Sequence, residues 1–103
     1  MIILLSEKGA DIHGKDRTGK SVMMFAAGSG SVESVRVLSE KGADIHGKDS
    51  TGKSVMMFAA GSGSVESVQA LSEKGADIHD KDSTGKSVVM FAAESGSAEV
   101  LQI

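Results

Sequence analysis

Short apolar runs alternate with polar, glycine-rich stretches along the chain, and this alternation recurs at a fixed interval. The segment Leu-Ser-Glu-Lys-Gly-Ala-Asp-Ile-His begins at Leu5, Leu38 and Leu71, which are 33 residues apart. The first two 33-residue units differ at three positions, and the third unit differs from the second at seven. Since a unit of this length cannot bury an apolar face alone, the units must stack on one another to form a core.

Each unit contains two apolar runs that are typical of helices, each preceded by a serine. In the first unit, Ser21 is predicted to cap a helix over residues 22–27 that ends in the glycine-rich residues 28–30. Ser31 is predicted to cap a second helix, whose apolar residues recur every third position. Gly42 stands where a left-handed residue ends such a helix. The equivalent residues in the later units are Ser54, Ser64, Gly75, Ser87 and Ser97.

The polar stretch between Gly42 and Ser54 is punctuated by glycine, which predicts a turn or a short hairpin. A helix, a short turn, a second helix and a hairpin-like loop within 33 residues resemble the ankyrin repeat. The residues that carry the resemblance in the first unit are Asp16, Gly19, Ala26-Ala27, Gly30, Glu33, Val35, Leu38 and Gly42-Ala43-Asp44-Ile45.

The resemblance covers nearly the whole chain and implies an all-α fold. We expect an α-solenoid of ankyrin-like helix-turn-helix repeats with hairpin-like loops, in a single array over residues 1–103. Within it, we expect a partial repeat over residues 1–15, repeats over 16–48 and 49–81, and a truncated repeat over 82–103.

The units depart from the family pattern at the start of the first helix. Where the family favours Thr-Pro-Leu-His, they have Ser-Val-Met-Met or Ser-Val-Val-Met. Methionine is a flexible core filler and lacks the hydrogen bonds of the family's histidine, so we expect a stack of modest stability. Met24, Phe25 and their equivalents are expected in the core rather than at a cofactor.

Neither end of the chain shows the polar capping repeat that such arrays use for solubility. We therefore expect a segment of a longer array, or ends that stack on other copies. The near-identity of the units is also consistent with a recently duplicated or idealised sequence.

The composition of the chain excludes several classes of function. The formal charge of −3 argues against a protein that binds nucleic acid through phosphates. The absence of cysteine excludes disulfides, thiolate metal sites and a cysteine nucleophile, and is consistent with an intracellular, cytoplasmic location. The apolar run over residues 1–5 is too short to span a membrane. We expect neither nucleic acid nor a membrane as partner.

Two segments match the nucleotide-binding P-loop pattern G-x-x-x-x-G-K-[ST], namely residues 14–21 (GKDRTGKS) and 47–54. A P-loop requires a buried strand before it and an acidic strand that holds magnesium, and the sequence predicts neither. Asp80 breaks the pattern in the third unit. Turn and cap roles explain these residues, so nucleotide binding is the weakest alternative and no cofactor is expected.

His13, His46 and His79 recur with the repeat and raise the question of a metal site. Stacked repeats would place them about 8–10 Å apart, which is too far for one shared zinc ion. We therefore expect a structural role for these histidines and no metal. Neither a Ser-His-Asp arrangement nor paired carboxylates are indicated, so we expect no enzymatic activity.

Lysines line the hairpin-like loops of every unit, at Lys15, Lys20, Lys48, Lys53, Lys81 and Lys86. Asp16, Asp49 and Asp82 cancel part of their charge. Two interpretations stay open: an ordinary solvated face, or a mildly basic strip that meets an acidic protein surface.

The resemblance implies a non-enzymatic scaffold that binds a protein partner through its concave face, which consists of hairpin tips and inner-helix ends. The candidate partner-binding residues are Arg17, Thr18, Lys20, Gly28, Ser29, Ser50, Thr51, Lys53, Gly61, Ser62, Ser83, Thr84, Lys86, Glu94 and Ser95. Because they include no aromatic residue, we expect weak binding, with Arg17 as the best anchor. The alternative is a structural role, in which copies associate through uncapped ends.

Overall fold

The computed structural model describes residues 14–96 and residue 98. Five α-helices lie in this part of the chain: α1 (Val22–Gly28), α2 (Val32–Glu40), α3 (Val55–Ser62), α4 (Val65–Glu73) and α5 (Val88–Ser95). The segment over residues 1–8, His13, the cap Ser97 and residues 99–103 lie outside the described residues.

Serine caps begin the helices as the sequence predicts. The hydroxyls of Ser21 and Ser54 each accept the backbone amide of the residue three positions later, Met24 or Met57, at 3.2 Å. The Sδ atom of that methionine accepts the serine's own amide at 3.4 Å, which completes a capping box at α1 and α3. The same predicted capping role is confirmed for Ser31, Ser64 and Ser87.

The helices form two layers. Helix α1 packs on α3 and α3 packs on α5 in the inner layer, whereas α2 packs on α4 in the outer layer. In the first two units the inner helix also packs on the outer one, α1 on α2 and α3 on α4. The core lies between the layers, and its largest fully buried residues include Met23, Met24, Leu38, Met56, Met57 and Leu71. The all-α solenoid is therefore confirmed.

Hairpin-like loops precede the inner helices, held by isolated bridges such as Lys48 to Ser54. The Oδ1 atom of Asp49 accepts hydrogen bonds from the amide and hydroxyl of Thr51, at 2.9 and 2.7 Å. Gly52 has a φ of 80°, and a Cβ atom there would lie 2.9 Å from the amide nitrogen of Ser83 in the next loop. Only glycine meets both constraints, so this residue fixes how closely successive hairpins approach.

The outer helices end at the glycines that the sequence predicts for this role. Gly42 and Gly75 follow α2 and α4 with a φ of 92°. Ala43 then donates its amide to the carbonyl of Leu38 at 3.0 Å, which turns the chain back toward the next hairpin.

The inner helices are covered unequally. Met24, Met57 and Phe91 are buried, as expected for core residues. In contrast, Met90 is 51% exposed and Phe25 is 49% exposed. The expectation that every equivalent of Met24 and Phe25 belongs to the core is thus wrong for these two, because neither is covered by a neighbouring inner helix in the described part of the chain.

Candidate partner-binding groove

A groove of about 590 Å³ runs across the inner layer, between the hairpin loops and the carboxyl ends of the inner helices. More than half of the sequence-predicted partner-binding residues line it: Lys20, Gly28, Ser29, Lys53, Gly61, Ser62, Lys86 and Glu94. The structure therefore brings the predicted lysines and the predicted helix ends onto one surface.

The remaining predicted residues do not line the groove: Arg17, Thr18, Ser50, Thr51, Ser83, Thr84 and Ser95. Most of them lie at the hairpin tips, where their polar groups hold the loops together. The carbonyl of Thr18 accepts the amide of Ser50 at 2.7 Å, and that of Thr51 accepts the amide of Ser83 at 2.9 Å. Arg17 is exposed at its tip. These residues thus support the groove from its rim.

Phenylalanine and lysine alternate along the groove in what we call the Lys–Phe ladder, which consists of Lys20, Phe25, Lys53, Phe58, Lys86 and Phe91. The Nζ atom of Lys20 lies 4.6 Å from the ring centroid of Phe25 and 4.9 Å from that of Phe58. The Nζ atom of Lys53 lies 5.0 Å from the centroids of Phe58 and Phe91, and that of Lys86 lies 4.7 Å from the Phe91 centroid. All five distances are within the range of cation–π attraction.

The contact between each lysine and the ring of its own unit follows from the local sequence. Lys20 precedes the cap Ser21, and Phe25 is the fourth residue of α1. These two positions meet in helices that carry a hydrophobic staple, so the lysine stem and the ring pack at the helix entrance. Stacking then places the ring of the next unit on the other side of the ammonium group. The sequence interpretation identified the lysines as site residues but missed the rings. Each ring is five residues after its lysine, and this spacing could have indicated that the two side chains meet.

The charge of the groove differs between units. Lys86 forms an ion pair with Glu94 on α5. The residues equivalent to Glu94 are Gly28 and Gly61. Among the described side chains, no carboxylate pairs with Lys20 or Lys53. Asp16 and Asp49 attract these two ammonium groups from the hairpins without forming an ion pair. Among the described residues that line the groove, three are lysines and one is a glutamate, and this charge favours the interpretation as a basic strip.

In the P-loop-like segment over residues 14–21, the amides of Thr18, Gly19 and Lys20 donate hydrogen bonds within the hairpin. The Oδ1 atom of Asp16 accepts the amides of Thr18 and Lys20 at 2.9 and 3.0 Å, and its carbonyl accepts the amide of Gly19 at 3.0 Å. The hydroxyl of Thr18, together with these amides, lowers the pKa of Asp16 below its ordinary 3.8, so the carboxylate keeps its charge and these donors. A P-loop instead directs such amides at phosphate, so this geometry does not favour nucleotide binding.

The histidines contribute through their backbones. The amides of His46 and His79 donate to the Oδ1 atoms of Asp44 and Asp77, at 2.8 and 2.7 Å, while both residues are exposed. Within residues 14–96, no group of three or more histidine, aspartate or glutamate side chains could hold a metal ion. In the same part of the chain, each helix is too short or too polar to cross a membrane.

Comparison with known proteins agrees with this architecture. The sequence model for ankyrin repeats (3 copies) matches residues 1–82 and residues 48–103. No curated protein matches the chain. Ankyrin repeats are generally modules that bind other proteins, and they are typically not catalytic. The family match spans the chain and the two-layered helical stack has the family's form, so the chain belongs to the ankyrin repeat family.

Proposed function

We propose that this chain is a non-enzymatic scaffold that binds a protein partner in the groove formed by the Lys–Phe ladder. The groove itself is the observation that carries the proposal. It has a volume of about 590 Å³, and its lining combines aromatic rings with a few charged groups. Aromatic rings in a concave surface provide apolar contact area for a protein segment, and the charged groups provide polar contacts around them.

The rings supply anchors that the sequence-based site lacked. Phe25 lies in the first turns of α1 and is 49% exposed. Aromatic side chains, including phenylalanine, are enriched at the cores of protein interfaces. We therefore place the centre of the interface on the groove and keep the hairpin tips, including Arg17, as its rim.

A matched set of variants tests this proposal. Affinity capture with the wild-type chain, Phe25→Ala and Glu66→Ala identifies partners, and calorimetry with the purified partner then gives the dissociation constant. Glu66 is exposed on the outer helix α4, away from the groove. We expect Phe25→Ala to weaken binding by about tenfold and Glu66→Ala to leave it unchanged. Equal effects of the two substitutions would exclude the groove as the binding site.

Arg17 tests the extent of the interface. If the hairpin rim takes part, Arg17→Ala weakens binding more than Ser50→Ala, the equivalent position in the second unit. Equal effects of these two substitutions on the dissociation constant would confine the interface to the groove.

The second candidate function is self-association, which a separate observation favours. Val89 and Met90 on α5 are 61% and 51% exposed, whereas the equivalent Met56 and Met57 are buried under α5. An apolar face of this kind can stack on the inner helix of another copy. Sedimentation at increasing concentration should then show growing species, and Met90→Lys should abolish the growth. A strict monomer at high concentration would exclude this role.

A further inference from the structure

The third unit contains a carboxylate in the groove where the first two units have none. Glu94 forms an ion pair with Lys86, whose Nζ atom also lies 4.7 Å from the Phe91 ring centroid. A ladder lysine can therefore contact a ring and a carboxylate at the same time. In the first two units the equivalent lysines, Lys20 and Lys53, contact rings while glycine occupies the position of the glutamate.

The two glycines leave room for an acidic group. A Cβ atom built at Gly28 would lie 3.6 Å from Cδ1 of Phe58, and one built at Gly61 would lie 3.9 Å from Cδ1 of Phe91. Both distances are ordinary van der Waals contacts, so neither position is blocked. Both glycines also line the groove, so a group from outside can reach them.

We propose that Lys20 and Lys53 each bind a carboxylate of the partner protein, in the position that Glu94 occupies beside Lys86. The occupant is an acidic segment of a protein, which aspartate or glutamate side chains provide. Charge complementarity supports this choice, since Lys20 and Lys53 line the groove and neither forms an ion pair with a described carboxylate. The inference rests on the proposed function and specifies the chemistry of the partner.

The ladder also sets the spacing of the acidic residues. The Nζ atoms of Lys20 and Lys53 lie 4.9 and 5.0 Å from the same Phe58 ring centroid, so they are at most about 10 Å apart. The two lysines precede the packed inner helices α1 and α3, and the axes of packed helices lie about 8–10 Å apart, so we expect the two ammonium groups to be spaced by about that distance. A polyproline II segment has three residues per turn and rises about 3.1 Å per residue, so side chains three residues apart lie on one side about 9 Å from each other. In a β-strand, side chains three residues apart point to opposite faces, and those two residues apart share a face but lie only about 7 Å from each other. The matching partner is thus an extended segment of polyproline II type with carboxylates three residues apart.

Synthetic peptides test the spacing directly. Two proline-rich peptides of identical composition have a pair of glutamates either three or two residues apart, and a third peptide has glutamine at both positions. Fluorescence anisotropy at low ionic strength gives their affinities. We expect the three-residue spacing to bind about fivefold more tightly than the two-residue spacing, as one well-placed ion pair allows, and the glutamine peptide to bind weakest.

Substitutions within the repeat test the position. Gly61→Glu introduces the third unit's carboxylate beside Lys53, and should weaken binding of the three-residue-spaced peptide by about fivefold. Glu94→Gly gives position 94 the glycine that the second unit has there, and it removes the ion pair of Lys86. This variant should bind a peptide with three glutamates at three-residue intervals about fivefold more tightly. Each variant has a residue that another unit already has at that position, so the fold is retained, and circular dichroism checks this. Glu66→Gln on the outer helix is the control for a change of charge alone.

Two results would overturn the carboxylate proposal: equal affinity for both spacings, or no effect of Gly61→Glu and Glu94→Gly on the glutamate peptides. If Phe25→Ala still weakens binding of the captured partner in that case, only the carboxylate proposal fails, and the groove remains the proposed binding site. If Phe25→Ala has no effect on the partner either, both proposals fail.

Discussion

Helices α3 and α5 have almost the same sequence and very different surroundings. They differ only at Met56 against Val89 and at Gly61 against Glu94. Helix α3 packs between α1 and α5, whereas α5 packs on α3 in the described part of the chain. Met57 is accordingly fully buried and Met90 is 51% exposed. The comparison teaches that the contribution of a residue to the stability of a solenoid is determined by the neighbouring repeat.

The largest expected difference between the two helices is at these methionines. Met57→Ala should lower the free energy of unfolding by about 2–5 kcal/mol, because it leaves a cavity between inner helices. Met90→Ala should lower it by less than about 0.5 kcal/mol, as exposed substitutions do. Urea denaturation followed by circular dichroism measures both. Similar losses would mean that the α5 face is covered in solution, and repeating the measurement at a lower concentration would show whether another copy covers it.

A smaller difference is expected at the helix caps. Ser54 and Ser87 accept the amides of Met57 and Met90 at 3.2 and 3.3 Å, but the first bond is buried and the second is exposed. Removing the hydroxyl leaves the Met57 amide without a partner or water, whereas the Met90 amide can bind water. Ser54→Ala should therefore lower the free energy of unfolding by about 2 kcal/mol, and Ser87→Ala should lower it by about 0.5 kcal/mol. Thermal denaturation compares them, and equal costs would show that burial of the cap has no effect.

The smallest difference is expected at the hairpins, where the two units are alike. Burial raises the pKa of Asp49, but the Thr51 hydroxyl and the amides of Lys53 and Thr51 outweigh this effect, so its pKa lies below the ordinary 3.8. The Thr84 hydroxyl and the amides of Lys86 and Thr84 outweigh desolvation and lower the pKa of Asp82 in the same way. A carboxyl group with a lowered folded-state pKa stabilises the fold above its unfolded pKa, and this stabilisation is lost as the pH falls through 3.8 toward the folded value.

Asp49→Asn and Asp82→Asn should thus be less stable than the wild type at pH 7, and by similar amounts. The stability difference from the wild type should shrink as the pH falls below about 4, because protonation removes the same charge from the wild type. Urea midpoints at pH 7 and pH 3 measure this. A difference from the wild type that does not change with pH would contradict the role of the charged carboxylates.

Local chemistry made much of the fold predictable. A serine followed by an apolar run defines a helix start by itself, because the cap bonds reach only three residues ahead, as at Ser54. Glycine at Gly42 similarly ends α2, because the left-handed backbone is a property of that residue alone. The period of the pattern then predicted stacking, and the helical layers confirm it.

The site was predictable only in part. Lys20, Lys53 and Gly61 line the groove, as their positions within the repeat predicted. That prediction was possible because the family's concave surface consists of loop tips and helix ends. The same rule included Thr18 and Ser50, whose backbones instead join adjacent hairpins. Phe25 was assigned to the core because an apolar residue in a helical run usually lies there, yet its ring is half exposed.

The sequence alone therefore determined the helices, their caps and the hairpin turns, since each depends on residues within a few positions of one another. Only the tertiary structure decided which equivalent residues are buried, because burial depends on the repeat that packs alongside. It made Met57 part of the core and left Met90 exposed. It also placed Lys20 and Lys53 between the rings of successive units, because the second ring of each pair belongs to the repeat that packs alongside.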